Sequence, residues 1–571
     1  MTTDIDVAII GGGPAGTTTG TLLKKYGPDL KVLILEREKF PRDHVGESQL
    51  PAVSYVLDEM GVWDKVEAAD FPVKIGATYK WGRTNELWDL DFIGQPFQNS
   101  PRPGKFEGQR RYTAFQVDRA VYDEILLNHA REMGCDGREE SRVVKVLSTG
   151  DYVDGLVLDN GETITAKYYV DASGNSGILR RAMDVAVESP TTLQNIAVWD
   201  YWQNAEWAEE IGVGGTRVQV MTIDFGWIWF IPLSPTRTSV GLVTPKEHYR
   251  QSGLRPEELY EKALTMDDRI ISLMKSAVSE GKFATTKDWS FVAERHSGEN
   301  WFLAGETSGF ADPILAAGLN ISQAAAREVA FSILEMIRGK EDSAWLRDAY
   351  DRRTTKRITN HIRFADYWYT TNKQFSDLKE FTQQLARDNH LDLSADKAWQ
   401  WLAAGGFIDE DLTIGTAGFS LSAIRGMAPF LNESPDDSPL FTNNVFELNL
   451  EGANRDDRAH YFEGRVLREP AYTRGSKVWP LSDVFDVWFT ILSRQSKIPG
   501  INREIATMAQ QHRSNPTFKQ QILNRLVGAI EALITDGWVI ASYDPSLPLL
   551  PKSPDNSSIH WHDQDVKTGQ R

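Results

Sequence analysis

The segment from residue 7 to residue 36 restricts the fold of this chain more than any other. An apolar run at 7–10 predicts a buried parallel strand, and a glycine-rich turn of the form G-x-G-x-x-G follows it at once. Residues 17–25 then predict a helix, and 31–35 predict a second strand that ends in an acidic residue. In this order the glycines allow a tight turn, close approach of the backbone to a pyrophosphate, and close helix–strand packing. The predicted dinucleotide contacts are Gly11, Gly13, Pro14, Ala15, Gly16 and Glu36.

Three later segments resemble the FAD contacts of the aromatic-hydroxylase and halogenase superfamily. They are Arg-Asp-His-Val-Gly-Glu-Ser at 42–48, Gln-Val-Asp-Arg at 116–119, and a loop at 305–318 that precedes an alanine-rich helix. The resemblance implies the α/β, glutathione-reductase-like two-domain FAD fold, in which a Rossmann-type βαβ unit is joined to an antiparallel, substrate-covering sheet. Glu306 stands where the family has aspartate, and Asp312 is expected beside the flavin ring. The contacts that the resemblance implies are Arg42, Glu47, Ser48, Gln116, Arg119, Asp171, Glu306, Asp312, Pro313, Gly318 and Leu319.

The sequence holds one dinucleotide fingerprint, and a second such unit for a nicotinamide cofactor is missing. The enzyme is therefore predicted to receive reduced FAD from a separate flavin reductase, or to reduce FAD without a dedicated nicotinamide domain. The same fold also allows a flavin monooxygenase, an alkene reductase or a flavoprotein sensor, because fold does not fix chemistry.

A tryptophan pair points to one branch of this superfamily. The segment Phe-Gly-Trp-Ile-Trp-Phe-Ile-Pro at 225–232 contains W-x-W-x-I-P, which resembles the motif of flavin-dependent halogenases. Strand alternation places Trp227 and Trp229 on one face, where their indoles would separate the flavin from an organic substrate. Only halide would then reach the flavin, and its oxidation gives hypohalous acid. The alternative is that the two aromatic side chains merely line a core face.

The resemblance also implies an active-site lysine. Segment 71–82 is similar to the family's lysine-containing strand, and Lys74 occupies the matching position. Its amine would hold hypohalous acid by hydrogen bonding or, with a pKa lowered by burial, become a haloamine. Lys80, on the same predicted strand, is the alternative candidate, and either lysine could be an ordinary surface side chain.

Halide is expected at backbone N–H groups of the D-P-x-x-x-x-G loop, where the resemblance places it at Ala317 and Gly318. Small residues suit a site where an anion approaches the main chain closely. Tryptophan halogenases have a glutamate inside this loop, and this chain has Leu315 there. A phenol or pyrrole needs that carboxylate less, because its own oxygen or nitrogen donates charge to the ring. The expected substrate is therefore an electron-rich phenol or pyrrole, either free or attached to a carrier protein, and the halide is chloride or bromide.

The composition of the 571 residues limits the partners and the location. A formal net charge of −18 disfavours nucleic acids and anionic membranes as partners. The single cysteine, Cys135, excludes an intramolecular disulfide and a cysteine-based metal site, and it fits a cytoplasmic protein. No apolar run reaches the roughly 18 residues that a membrane-spanning helix needs.

The chain is expected to fold as several successive parts. The order helix, helix, helix, strand near the C-terminus resembles a winged-helix unit, and its balanced charges favour protein docking or capping over DNA binding. The predicted parts are the FAD-binding domain at 1–185 with a return segment at 301–340, a substrate-covering sheet at 186–300, a helical substrate-capping region at 341–475, the winged-helix-like module at 476–550, and a flexible tail at 551–571.

Overall fold

The chain divides into two compact units in the computed structural model. The first comprises 1–378, 461–466 and 560–571, and the second comprises 379–460 and 467–559. Within the described ranges, no helix is long and apolar enough to cross a membrane. The described residues are 5–82, 86–91, 114–191, 194–207, 215–286, 290–370, 439–475, 477–511, 526–527, 529–534, 536–550 and 559–561.

A five-stranded parallel sheet lies at the centre of the first unit, as the βαβ pattern predicts. Strand alternation divides its side chains between two layers. Ile9 and Ile34 lie beside glycines of helix Pro14–Tyr26, whereas Leu33 and Leu35 join an apolar core with a three-stranded antiparallel sheet. In spatial order the parallel strands are Trp301–Leu303, Ala166–Asp171, Ile5–Ile10, Val32–Leu35 and Asp136–Arg138, and the antiparallel strands are Val143–Thr149, Tyr152–Leu158 and Thr163–Ile164.

The first unit also contains a ten-stranded sheet. Strands Val73–Lys80 and Leu87–Asp91, which precede the predicted sheet segment 186–300, also pair within this sheet. Val73–Lys80 pairs in parallel with Gly215–Ile223, a partner far away in the chain that local sequence patterns do not reveal. The other strands are Ala114–Phe115, Asn195–Gln203, Gly226–Pro232, Arg237–Pro245, Val278–Ser279, Ala284–Thr286 and Ile559–Trp561.

Helices position the remaining site segments. Helix Arg119–Glu132 and the long helix Gly318–Arg338 both pack against Pro14–Tyr26, so three sequence-distant helices come together beside the parallel sheet. Short strands at Val187–Glu188, Phe291–Ala293 and Gly309–Phe310 form a separate sheet. The other helices of the first unit are Ala52–Met60, Trp63–Ala68, Ile178–Ala182, Lys246–Ser252, Pro256–Leu264, Asp268–Leu273 and Ser343–Thr370, with 3₁₀ turns at Gly174–Ser176, Gly305–Thr307 and Pro313–Leu315.

Within the predicted helical region at 341–475, Ser343–Thr370 is a helix, and three strands occupy most of 445–474. The reason is a turn signal: Glu463 and Gly464 both have positive φ, which favours the tight turn of a β-hairpin. The strands are Val445–Leu448, Asn454–Phe462, Arg465–Arg474 and Lys477–Pro480, and a short helix precedes them at Pro439–Thr442.

The C-terminal secondary structure follows the sequence more closely. Helices Asp483–Leu492 and Ile498–Gln511 overlap the helices that the sequence predicts at 481–494 and 501–511, and strand Val539–Ser542, which pairs with Val445–Leu448, overlaps the strand predicted at 537–540. Of the third helix, predicted at 517–536, 526–527 and 529–534 are described and helical, and 517–525, 528 and 535 lie outside the described residues. The predicted flexible tail contains a strand at 559–561, and the rest of that tail also lies outside them.

Candidate active site

The glycine-rich turn leaves open space at one of the three glycines of its G-x-G-x-x-G pattern. A Cβ on Gly11, whose φ is +109°, would lie 2.3 Å from the carbonyl oxygen of Ala172, and one on Gly16 would lie 1.9 Å from the Gly11 oxygen. These two glycines are therefore required by the protein itself. The nearest atom to a Cβ on Gly13 is a guanidinium nitrogen of Arg42, at 3.6 Å, so the space here is available to a ligand.

Glu36 lies at the end of its strand beside this turn. One carboxylate oxygen accepts a hydrogen bond from the N–H of Gly12 at 2.7 Å, and the other accepts from the N–H of Glu38 at 2.8 Å. Each carboxylate oxygen can accept more than one hydrogen bond. Glu36 thus fixes the turn and keeps acceptor capacity for a ribose hydroxyl, the partner predicted for it.

Two of the predicted contact segments are joined by an arginine–aspartate cluster. Asp123 accepts hydrogen bonds of 2.8 and 3.0 Å from Arg119 and forms an ion pair of 2.9 Å with Arg42. Burial alone would raise the pKa of Asp123, but the two guanidinium groups hold it below its usual range. Arg119 also donates to the carbonyls of Val45 and Gly46. The cluster therefore fixes the 42–48 loop on helix Arg119–Glu132.

Polar groups with unused hydrogen-bonding capacity lie in the same two segments. Ser48 and Gln116 pair as an isolated β-bridge. Among the described residues, neither the buried Ser48 hydroxyl nor the buried Gln116 side-chain amide has a hydrogen-bond partner. The neighbouring Glu47 is buried, which raises the pKa of its carboxyl, and it accepts a hydrogen bond of 3.0 Å from the Tyr201 hydroxyl. Buried polar atoms without partners are unfavourable in a protein, and a polar ligand would satisfy them.

Asp171 meets its hydrogen-bonding needs within its own segment. Its carboxylate accepts from the N–H and hydroxyl of Ser173 and from the N–H groups of Leu179 and Arg180. Burial raises the pKa of Asp171, and these bonds oppose that rise. The side chain predicted to contact the cofactor thus organises the turn that follows the strand.

A small, partly open cleft lies where the third segment meets the long helix. Burial raises the pKa of the Glu306 carboxyl, and the charge of Arg119 partly offsets this rise. A Cβ on Gly318 would meet nothing within 4 Å, so the start of helix Gly318–Arg338 faces open space. The first N–H groups of a helix lack intrahelical partners and favour anions. The lining residues are Glu306, Gly309, Phe310, Ala311, Asp312, Ala317, Gly318, Ile321 and Ser322.

A hydrogen-bonded chain connects this cleft to the ten-stranded sheet. The indole of Trp227 donates to the Tyr369 hydroxyl at 2.8 Å, and that hydroxyl donates to the Asp312 carboxylate at 3.2 Å. The same carboxylate oxygen accepts from the N–H of Ile314 at 2.8 Å, which fixes the turn after Pro313. Tyr369 is fully buried, and burial together with Asp312 raises its pKa well above the usual value.

The two tryptophans of the W-x-W-x-I-P segment lie together, as strand alternation predicts. Trp227 and Trp229 are both buried, and their ring centroids are 6.1 Å apart. The Trp229 indole donates to the Ser239 hydroxyl at 3.1 Å and lies over the neighbouring strand at Gly241, where an added Cβ would be 2.1 Å from the ring. Trp81, which directly follows strand Val73–Lys80, contacts Trp227 edge-on at 6.5 Å. The indoles of Trp81, Trp227 and Trp229 together form an indole wall.

The two candidate lysines have different surroundings. Lys74 is 2% exposed, its amine donates to the carbonyl of Gln49 at 2.9 Å, and burial lowers its pKa to about 7. Lys80, at the end of the same strand, forms an ion pair of 2.8 Å with Asp267. Lys74 is thus the amine that becomes neutral near physiological pH.

Comparisons with known proteins agree with this arrangement. A family profile described as an FAD binding domain matches residues 4–365. The 1H-pyrrole-2-carbonyl-(peptidyl-carrier protein) chlorinase of Pseudomonas fluorescens is 32% identical over 386 residues, which cover 65% of this chain and 85% of that protein. The chain belongs to the flavin-dependent halogenases.

Two further halogenases are also similar to this chain. The tryptophan 2-halogenase of Chondromyces crocatus is 30% identical over 391 residues, or 67% of this chain and 71% of that protein. The crystal structure of CmlS, a flavin-dependent halogenase, matches with a TM-score of 0.70 at 23% identity and covers 98% of this chain and 100% of that chain. The fold shared with CmlS therefore extends through the C-terminal region.

The residues of the halogenase fit an FAD molecule. The open side of Gly13 suits a pyrophosphate, and the unpartnered polar atoms of Ser48 and Gln116 need partners that the described protein does not provide. Gly318 and the helix that starts there offer N–H groups next to the cleft. These features come from separate segments, and together they match the polar and anionic parts of the cofactor.

Three residues of the halogenase site were missed by the sequence-based predictions. Asp123 had an available signal, because its spacing of four from Arg119 places both on one helix face. Tyr201 had no such signal. Tyr369 lies in an aromatic-rich segment that the sequence allows as either a substrate wall or a packed helix core, and only the fold brings its hydroxyl to Trp227 and Asp312.

Proposed function

We propose that this halogenase uses FADH2, O2 and halide to form hypohalous acid and delivers the halogen through Lys74 to an electron-rich aromatic ring. The observation that carries the proposal is the buried Lys74 amine, with a pKa of about 7, on the same sheet as Trp227 and Trp229. Burial disfavours the charged form of a lysine. The neutral amine that results near pH 7 is a good acceptor of electrophilic halogen.

Bound FADH2 supplies the electrons that activate O2 for the oxidation of halide. The N–H groups of Ala317 and Gly318 hold the halide at the positive end of the long helix. Trp227 and Trp229 keep the aromatic substrate from the flavin, so halide and not the substrate ring is oxidised. Small hypohalous acid passes the wall, whereas a larger ring does not.

Lys74 then controls where the halogen goes. In one version the amine holds hypohalous acid by hydrogen bonding. In the other, the neutral amine attacks the halogen, an N–halogen bond forms and water leaves; the ring then takes the halogen and loses a proton, which restores the amine. Either version prevents free hypohalous acid from reacting at random positions.

We propose a phenol or a pyrrole as the substrate, free or attached to a carrier protein. Leu315 provides no carboxylate to stabilise a cationic indole intermediate, and a phenol or pyrrole stabilises its own ring cation. The Pseudomonas fluorescens relative is named for a carrier-bound pyrrole. A separate, diffusing flavin reductase provides FADH2, and we place both proteins in the cytoplasm.

The test is product analysis by mass spectrometry. The purified protein is incubated with FAD, a flavin reductase, NADH, O2, and a panel of phenols, pyrroles and a carrier-bound pyrrole, with chloride or bromide. A product whose mass and isotope pattern require halogen, and which disappears without halide, supports the proposal. Hydroxylated products in place of halogenated ones would reject it.

We further propose that the C-terminal helices and strands form a winged-helix-like module that docks a protein or caps the substrate. Helices Asp483–Leu492 and Ile498–Gln511 and strand Val539–Ser542 support the proposed order. Cross-linking to a carrier protein bearing the substrate, compared with a DNA duplex at physiological salt, tests the role. Retention of DNA alone would contradict it.

A further inference from the structure

One arginine of the ten-stranded sheet contacts three carboxylates at once. The Arg237 guanidinium pairs with Asp118 at 2.7 Å, with Asp43 at 2.9 Å and with Glu280 at 3.1 Å. It also lies 4.0 Å from the ring centroid of Tyr201. The side chain is 13% exposed, so water screens these contacts less than it would at the surface. We call these five residues the Arg237 cluster.

Two of the acids belong to the segments that resemble FAD contacts. Asp43 lies in the 42–48 loop. Asp118 caps helix Arg119–Glu132, where one carboxylate oxygen accepts from the N–H of Ala120 at 3.0 Å and the other receives Arg237. Arg237 therefore ties both segments to a strand of the neighbouring sheet, and no FAD motif contains it.

Tyr201, the aromatic residue of the Arg237 cluster, also contacts the 42–48 loop. Tyr201 stacks under Arg237, and its hydroxyl donates to the Glu47 carboxylate at 3.0 Å and lies 3.3 Å from the His44 carbonyl oxygen. Glu47 is buried, and its hydrogen bond to Tyr201 opposes the rise in pKa that burial causes. The position of the Glu47 side chain thus depends on the ring that Arg237 holds.

We infer that Arg237 is a positioning residue for FAD: it fixes the 42–48 loop and the 116–119 segment in the arrangement that binds the cofactor. The inference rests on the FAD-contact role proposed for those two segments. Arg237 acts through them and not by touching the reacting atoms.

The three acids around Arg237 explain why a neutral side chain cannot replace it. Without Arg237, the carboxylates of Asp43, Asp118 and Glu280 would face each other with Lys282 nearby, at 3.5 Å from Asp43 and 3.2 Å from Glu280. Like charges so placed repel, and the loop and the helix start would move apart.

The test compares Arg237→Gln with Arg295→Gln, a matched control. Arg295 pairs with Asp151 at 2.7 Å and lies 4.7 Å from the ring centroid of Trp301, so it has the same kinds of partner away from the FAD segments. FAD affinity and release are followed by the rise in flavin fluorescence on dissociation, and the stability of the apoprotein by its melting temperature. We expect Arg237→Gln to weaken FAD binding roughly tenfold or more and Arg295→Gln to leave it unchanged.

Two further variants make the result decisive. Arg237→Lys keeps a charge without the planar fork, so it should bind FAD with intermediate affinity that falls as salt rises. Asp43→Asn, at a more exposed position, removes, of the ion pairs of Arg237, only the one with the 42–48 loop, and it serves as the test if Arg237→Gln does not fold. We expect this variant to release FAD several-fold faster. FAD binding by Arg237→Gln or Asp43→Asn equal to that of the wild type would overturn the inference, as would an equal loss in Arg295→Gln. Failure of the wild type itself to bind FAD would instead overturn the proposed function.

Discussion

At the scale of single residues, Lys74 makes the stability of the protein depend on pH. Its pKa is about 7 in the folded chain and 10.5 in an exposed lysine, a difference of about 3.5. Between pH 7 and 10.5 the unfolded chain binds more protons than the folded chain, so folding should become more favourable as pH rises through this range, by roughly 5 kcal/mol at most. Lys74→Met should flatten this part of the profile. Denaturant unfolding near pH 7 and near pH 10 tests it, and equal slopes for both proteins would contradict it.

Tyr369 is the second residue whose role a single substitution can test. Tyr369→Phe removes the bonds to Trp227 and Asp312 and keeps the ring. Because Asp312 lines the cleft, we expect a changed visible spectrum of bound FAD and more peroxide released per FADH2 oxidised. Stability should fall by about 1–3 kcal/mol.

Tyr350→Phe provides the matched control for that change. Tyr350 lies in the same helix, is fully buried, and donates to the carbonyl of Leu303 at 2.6 Å. It should lose similar stability without altering the flavin spectrum or the peroxide yield. The same spectral change in both variants would reduce the role of Tyr369 to packing.

At the scale of elements, strand Arg237–Pro245 makes room for the indole wall, because Gly241 has no side chain to collide with Trp229. A Cβ added at Gly241 would meet the Trp229 ring, so Gly241→Ala should displace that indole and destabilise the fold by about 1–3 kcal/mol. An open wall should admit substrate to the flavin and give hydroxylated by-products. Ser239→Ala, which removes only the indole hydrogen bond, should cause the smaller effect. Mass spectrometry showing no by-product from Gly241→Ala would contradict the proposed wall.

Elements with local signals were predictable, and elements that depend on distant pairing were not. The first strand, the glycine turn and helix Pro14–Tyr26 follow from adjacent residues, and so does the common face of Trp227 and Trp229. The parallel pairing of Val73–Lys80 joins distant segments, and no local pattern in the sequence reveals it.

The site residues also divide into those that local motifs indicate and those that only the fold brings together. The motifs single out Gly11, Gly16 and Lys74; in the structure the two glycines leave no room for a Cβ, and Lys74 is buried. The Arg237 cluster escaped prediction because its acids come from separate segments, and a charged residue in a sequence does not reveal its partner.

At the scale of the whole molecule, the single dinucleotide fingerprint predicts dependence on another enzyme. Purified protein with FAD and NADPH, but without a reductase, should oxidise NADPH no faster than free FAD does. Absorbance at the nicotinamide band measures this, and added flavin reductase provides the positive control. Rapid NADPH oxidation by the protein alone would show that the fold reduces its own flavin.

The most direct measurement of the central claim is the product made by Lys74→Ala. Its matched control is Lys80→Ala, which removes a lysine of the same strand that is paired with Asp267. With reductase, FAD, O2, halide and an accepted phenol or pyrrole, mass spectrometry should find no regioselective halogenated product from Lys74→Ala, while FAD binding and peroxide formation stay near wild type. Lys80→Ala should still halogenate. Regioselective halogenation by Lys74→Ala, or its loss in Lys80→Ala alone, would contradict the account.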